Sequence, residues 1–115
     1  MNKITIRGRC PSKKNSRINT RSGRSFPSAK YTAWHRDASA QLVAQKAPQI
    51  PTNEITLIFW MPDNRRCDLT NKAESIMDLL VDNYLIVDDC WQEINPIHLY
   101  CEGVDKDNPR VIIRW

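Results

Sequence analysis

Residues 65–89 read RRCDLTNKAESIMDLLVDNYLIVDD and decide the fold, because they place one amphipathic helix between two groups of charged side chains. At 100° per residue, this segment has a single apolar stripe, which predicts a helix over Asp68–Asp82 packed on a core. The stripe consists of Leu69, Ala73, Ile76 and Leu80. The opposite side carries Asp68, Asn71, Lys72, Ser75, Asp78 and Asp82. Asp68 precedes the first apolar residue, the position of an N-cap.

A second group of acids follows the helix closely, since Asp88 and Asp89 come directly after the apolar pair Ile86-Val87. Two carboxylates 4 Å apart repel by roughly 4 kcal/mol at an effective dielectric near 20, so a cation normally offsets them. Ligands that are all oxygen suit Mg²⁺ or Mn²⁺. The alternative is that these acids are a solvated polar face of an amphipathic helix.

The residue pattern resembles that of one nuclease family. It consists of Arg65-Arg66-x-Asp68-x-x-Asn71-Lys72, a helix containing Asp78, and an apolar residue before Asp88-Asp89, with Pro11-Ser12-Lys13-Lys14-Asn15 and Tyr31-x-x-Trp34 upstream. In this layout the chain resembles, over nearly its whole length, the RusA family of Holliday junction resolvases. One position departs from the family pattern, because Thr70 stands where the family commonly has a second aspartate.

The resemblance implies a small, Mg²⁺-dependent endodeoxyribonuclease of phage or prophage type, with Mn²⁺ as a possible substitute for Mg²⁺. Such an enzyme resolves Holliday junctions by paired symmetric nicks during DNA recombination and repair, and it works as a homodimer on branched DNA. The implied metal ligands are Asp68, Asp88 and Asp89, which are also the expected catalytic acids. Lys72 is expected to steady the developing charge. Supporting roles are expected for Asn71, Asp78 and Thr70.

Two rival functions stay open at this point. Thr70 favours a catalytically weakened or inactive protein that binds branched DNA without cutting it. The other rival is a structural or RNA-directed protein whose acids are merely solvated. Asp78 lies about 15 Å along the helix from Asp68, so these two acids are not expected to share a metal directly. Leu79 interrupts the polar face of the helix, which hints at a surface for a partner chain.

Length and composition indicate one domain, residues 1–115, with 41% apolar and 26% charged residues. The sequence has no run of 18 apolar residues, and its first residues lack the apolar core of a signal peptide. A cytoplasmic location without membrane contact is therefore the expectation. Four scattered cysteines without a CxxC pair predict free thiols rather than a zinc site.

Charge is distributed unevenly along the chain. The first 36 residues contain ten lysines or arginines and no acid, whereas the rest hold seven bases and all 13 acids. This asymmetry predicts a basic, flexible DNA-binding loop over residues 12–25, joined to an acidic site. The expected DNA-binding residues are Lys13, Lys14, Arg17, Arg21, Arg24, Arg65 and Arg66. A solvated or disordered loop, and an arginine pair that only aids solubility, are the alternatives.

The remaining periodicities predict an α/β (α+β) fold, in which a small mixed sheet carries two helices in the order β-α-β-α-β-β. A first helix is predicted from the N-cap Ser28 to the prolines at 48 and 51. The strands are predicted at Lys3–Arg9, Glu54–Met61, Cys90–Cys101 and Arg110–Trp115. Almost every residue of the second strand is apolar, which predicts a central strand covered on both faces. Residues 102–109 are predicted to form a hairpin connection.

Overall fold

The computed structural model describes residues 2–13 and 17–115, and within them the chain forms six strands and two α-helices. In chain order these are β1 (Lys3–Arg7), β2 (Arg17–Asn19), β3 (Ser25–Pro27), α1 (Ala29–Ala44), β4 (Ile55–Met61), α2 (Leu69–Asp82), β5 (Ile97–Val104) and β6 (Arg110–Arg114). The predicted order and the mixed sheet are confirmed, and the short β2–β3 ribbon is an addition to them. Neither described helix is long and apolar enough to cross a membrane.

The four strands of the main sheet lie in the order β1-β6-β4-β5. β4 pairs parallel with β5, whereas the other neighbours are antiparallel. Because β4 separates β5 from β6, the hairpin predicted over residues 102–109 is wrong. Residues 102–104 belong to β5, and residues 105–109 cross from one side of β4 to the other. The predicted strand at Cys90–Cys101 is also displaced. β5 begins only after Pro96, because the Cys90 carbonyl accepts from the amides of Glu93 and Ile94 and closes a turn there.

One face of the sheet carries the core. Ile55, Leu57 and Phe59 of β4 are at most 1% exposed and pack with apolar residues of both helices. The alternate residues of β4, Thr56, Ile58 and Trp60, are only half-buried. The prediction that β4 is covered on both faces is therefore wrong, since apolar side chains on its second face are partly open to solvent.

Helix α1 covers the β1 edge of the sheet. Ser28 is its N-cap as predicted, and the Ser28 hydroxyl accepts from the Tyr31 amide at 3.1 Å. Gln41 and Gln45, one turn apart, each donate to and accept from the backbone of β1, at Arg7 and Thr5 respectively. These four bonds, 2.7–3.1 Å long, satisfy backbone groups that the outer strand would otherwise leave unpaired.

Helix α2 begins after Asp68 as predicted, and three members of its stripe, Ala73, Ile76 and Leu80, are buried. Two residues predicted to lie on the solvent side are also fully buried, namely Ser75 and Leu79. The hint that Leu79 marks a surface for a partner is therefore wrong, because this chain itself covers the side chain. α2 is enclosed over more of its circumference than its apolar stripe alone indicates.

Candidate functional site

The predicted acid pair lies in the loop that joins α2 to β5, and not directly before a strand as the strand predicted at Cys90–Cys101 implied. The Asp89 amide donates to Asp88 Oδ1 at 2.8 Å, which fixes the pair locally. Partial desolvation, a hydrogen bond with the Asp88 carboxyl and the charges of Asp88 and Asp78 together raise the pKa of Asp89. We call Asp78, Asp88 and Asp89 the acid group, since their charges interact.

This raised pKa predicts how the acid group affects stability. A carboxyl whose pKa is raised on folding contributes stability below its unfolded pKa, and this contribution is lost as the pH rises through the folded pKa. In buffer without divalent cations, we therefore expect Asp89→Asn to unfold at a higher temperature than the natural protein at pH 7. The difference should shrink as the pH falls towards 4. Thermal unfolding followed by circular dichroism at several pH values measures this trend, and a difference that is independent of pH would contradict it.

Asp68 lies at the other end of α2. Its side chain does not cap the helix, but its carboxylate accepts from Asn71 Nδ2 at 3.3 Å. Thr70 is exposed in the first turn. Among residues 2–13 and 17–115, no three His, Cys, Asp or Glu side chains form a group suited to a metal ion. The common metal site of Asp68, Asp88 and Asp89 therefore stays a prediction.

The segment that precedes the basic loop is fastened to α2. The Lys72 ammonium donates to the Cys10 carbonyl at 2.6 Å, and the buried Ser75 hydroxyl donates to the Pro11 carbonyl at 2.8 Å. One turn further along α2, Asp78 forms an ion pair with Lys13. Residues three apart on a helix share a side, so these bonds run along one line of α2. We call this set of bonds the loop–helix contact.

The loop–helix contact includes two lysines with predicted roles. The role of Lys72 in steadying charge during the reaction stays a prediction, and in this structure its ammonium binds a backbone carbonyl within the chain. Lys13 was predicted as one of several loop bases, and its ammonium lies against the acid group through Asp78. The basic segment, residues 12–25, therefore begins beside the acid group. The sequence could not reveal this, since the partners are more than 60 residues apart.

A second cluster of bases lies before the start of α2. A cavity of about 190 Å³ is lined by Arg9, Met61, Pro62, Asp63, Arg65, Arg66, Cys67 and Lys72. Arg65 donates to Asp63 through its backbone amide and guanidinium, and Arg9 donates to the same carboxyl at 3.0 Å. Hydrogen bonds from Arg65 lower the pKa of Asp63 to about 2. With one acid among four cations, the cavity retains an excess of positive charge. Arg9 was not singled out in the sequence.

Three further predicted DNA-binding residues, Arg17, Arg21 and Arg24, lie in or near the β2–β3 ribbon. Residues 12–25 were predicted to form a loop, but β2 and β3 pair within and just beyond this range. Arg17 begins β2, while Arg21 and Arg24 are exposed in the turn that follows. Lys14 lies outside the described residues. The ribbon was missed because its paired residues Ile18 and Phe26 stay 43% and 42% exposed, so no buried face sets a strand period.

Ser75 provides a direct test of the loop–helix contact. We expect Ser75→Ala to lower the free energy of unfolding by about 1–3 kcal/mol, because the Pro11 carbonyl loses its buried partner. Urea unfolding measures this loss.

Cys10 offers a second measurement, since burial raises the pKa of its thiol to about 12 and keeps it unreactive at pH 8. Alkylation of Cys10, mapped by mass spectrometry, should become at least severalfold faster in the variant.

The matched control is Ser22→Ala, since Ser22 is exposed in the turn before β3. This variant should change neither stability nor Cys10 alkylation. Exposed Cys67 and Cys101 should react at the same rate in all three proteins, so they serve as an internal control for the activity of the alkylating reagent. Equal Cys10 rates in Ser75→Ala and the natural protein would show that Ser75 does not hold the segment.

Comparison with known proteins identifies the family. A search of curated proteins found no match to this chain. A model of the family described as Endodeoxyribonuclease RusA matches residues 8–114, which include both ends of α2, the acid group, the loop–helix contact and the basic cavity. Because the match spans nearly the whole chain, this protein belongs to the RusA family of endodeoxyribonucleases.

Proposed function

We propose that this protein is a divalent-metal-dependent endonuclease that cuts four-way DNA junctions by paired nicks. The observation that carries the proposal is the family match over residues 8–114, which include an acid group placed beside a fixed lysine. The four-way junction as substrate is an inference from the family, whereas the metal and the roles of individual residues are inferences from the chemistry of these groups.

The acid group supports the choice of metal. Asp88 and Asp89 offer carboxylate oxygens. The pKa of Asp89 is raised by partial desolvation first and then by the Asp88 carboxyl and the charge of Asp78, and a bound cation would favour its ionised form. Mg²⁺ is usually held by one or two protein carboxylates together with water and substrate phosphates, so two acids are enough for it. We propose Asp88 and Asp89 as ligands, with Asp68 added when DNA binds and Mn²⁺ as a substitute. The bound ion would supply an activated water and neutralise phosphoryl charge.

The bases hold the DNA backbone on either side of the acids. Arg9, Arg65 and Arg66 would bind one phosphate in the cavity before α2, where the cationic side chains outnumber Asp63. Lys13 would contact a phosphate near the acid group, and the exposed Arg21 and Arg24 would follow the backbone further away. Contacts of this kind position DNA without reading its sequence, which suits a substrate defined by shape.

Paired nicks require two sites. A four-way junction has two-fold symmetry, and a homodimer would present two identical sites in the matching relation. We therefore propose that the active form is a homodimer. Sedimentation of the protein with and without a junction tests this proposal, and a 1:1 complex of one chain with one junction would contradict it.

The test of function compares a synthetic four-way junction with a linear duplex of the same sequence, each with and without Mg²⁺. The proposal predicts symmetric nicks in the junction alone, and only with Mg²⁺. Cutting without a divalent ion, or equal cutting of the duplex, would contradict it. The second candidate is a branched-DNA-binding protein with weak or no cutting. It is favoured by Thr70 and by the absence, among residues 2–13 and 17–115, of three His, Cys, Asp or Glu side chains placed to hold a metal ion. It predicts junction binding without nicks.

Thr70→Asp separates the two candidates further. Thr70 is exposed in the first turn of α2, so a carboxylate there has little structural cost, and it would restore the second aspartate that the family commonly has at this position. If the natural site binds metal weakly, we expect the variant to need roughly tenfold less Mg²⁺ for half-maximal cutting. A titration of initial rates against Mg²⁺ measures the shift. The control Thr70→Asn, of similar size without the charge, should not reproduce it.

A further inference from the structure

Apolar side chains stand exposed on both sides of the acid pair. Val87, directly before Asp88, is 81% exposed, and Trp91, two residues after Asp89, is 72% exposed. Tryptophan has the largest apolar surface of any side chain and usually gains from burial, so an indole left in water marks a contact surface. These two residues are unlike the charged neighbours that a solvated acid loop normally has.

The backbone that carries Trp91 is anchored to the fold. The Cys90 carbonyl accepts from the amides of Glu93 and Ile94, both at 3.0 Å, which closes a turn around Trp91. Ile94 is buried in the core at 4% exposure, and the Asn95 amide donates to the Asn53 carbonyl at 2.7 Å. The backbone that carries the indole is therefore held in place by the fold.

The spacing to Asp89 indicates which partner this surface meets. Two residues span at most about 7 Å between Cα atoms. Successive phosphates of one DNA strand are about 3.4 Å apart along the helix axis, so the bases next to a phosphate that a metal ion would hold at Asp89 lie within reach of the indole. A nucleobase of the DNA being cut is therefore a partner that Trp91 can contact.

We propose that Trp91, flanked by Val87, is a stacking platform for a nucleobase at the branch point, next to the phosphate held at Asp89. This inference rests on the proposed nuclease function and adds to it the way in which the enzyme recognises a branch. Bases at a junction leave their stack more readily than bases in a duplex, and apolar side chains inserted at a base step favour this opening. Stacking on an aromatic ring accepts any base, which suits recognition by shape.

The test uses junctions that carry 2-aminopurine either at the branch point or in the middle of one arm. Natural protein is mixed rapidly with each junction in Mg²⁺, and fluorescence is followed before nicks form. We expect a change only at the branch point. Trp91→Ala should abolish this change and weaken junction binding by about tenfold, the size of effect that losing one stacked base produces. Trp91→Phe should retain most of both.

The matched control is Tyr100→Ala, which removes another exposed aromatic ring, 53% exposed, from edge strand β5. It should behave as the natural protein does. The inference is overturned if Trp91→Ala binds, opens and cuts the junction normally while the natural protein is an active nuclease. It is also overturned if Trp91→Ala changes the oligomeric state in sedimentation, because the indole would then contact a second copy of the chain. A natural protein that neither binds nor cuts junctions would instead overturn the proposed function itself.

Discussion

Asp89→Asn is expected to slow single-turnover cutting of a four-way junction by about a thousandfold or more. The amide keeps the size of the side chain but removes the charge that would hold the divalent ion. Loss of about 4 kcal/mol of transition-state stabilisation corresponds to this factor. Junction affinity should change little, because Lys13 and the basic side chains that line the cavity before α2 remain. Quenched-flow cutting and an electrophoretic binding assay measure the two quantities separately.

The control for Asp89→Asn is Glu74→Gln. Glu74 is an exposed acid of α2, and its substitution makes the same change of charge outside the acid group. It should cut within about threefold of the natural rate, as surface substitutions usually have small effects. Full cutting by Asp89→Asn would remove the acid group from the mechanism, even if the protein proved to be a nuclease.

Leu79→Ala is expected to lower the free energy of unfolding by about 2–5 kcal/mol. Leu79 is fully buried, and its truncation leaves a cavity in addition to the lost apolar burial. Urea unfolding measures the loss. The result distinguishes a core residue from the partner surface that the helical pattern hinted at, since a partner contact would change the oligomeric state and leave the stability of the single chain nearly intact.

Val43→Ala is the matched control for Leu79→Ala. Val43 is an apolar residue of α1 that is 75% exposed, so its truncation should cost no more than about 0.5 kcal/mol. Leu79→Ala and Val43→Ala variants that were equally stable would show that Leu79 is not part of the core.

Local periodicity was sufficient to predict both helices and the central strand. Ala73, Ile76 and Leu80 recur at helical spacing and are buried, and the N-cap Ser28 was recognisable from its position before α1. Such signals involve residues within one or two helical turns of each other, so they can be recognised without knowledge of the tertiary structure. The element order followed from them.

Strand pairing and coverage were less predictable, because they depend on residues far apart in sequence. The sequence after Val104, where β5 ends, has no local pattern that indicates that β4 separates β5 from β6. In the same way, the apolar residues Ile58 and Trp60 suggested a strand buried on both sides, although both side chains are only half-buried. Gln41 and Gln45 bind the edge of β1, and no local sequence pattern indicates these bonds.

The acids of the candidate site could be recognised in the sequence, but the contacts that join the site to the rest of the chain could not. Asp88, Asp89 and Asp68 stood out through type and spacing, and the basic segment stood out through charge. Asp78 was set apart from the acids by its distance from Asp68, whereas the structure brings it into electrostatic contact with Asp89 and Lys13. Ser75 gave no signal, because a serine on the polar side of a helix is usually exposed.

Whether Asp88 and Asp89 bind a divalent ion is measured by the anomalous scattering of Mn²⁺ in crystals of the protein bound to a four-way junction. We expect an anomalous peak within about 2.2 Å of carboxylate oxygens of Asp88 or Asp89 and beside a DNA phosphate. We expect no such peak in crystals of Asp89→Asn grown in the same way. An ordered DNA complex of the natural protein without Mn²⁺ at these acids would contradict this expectation.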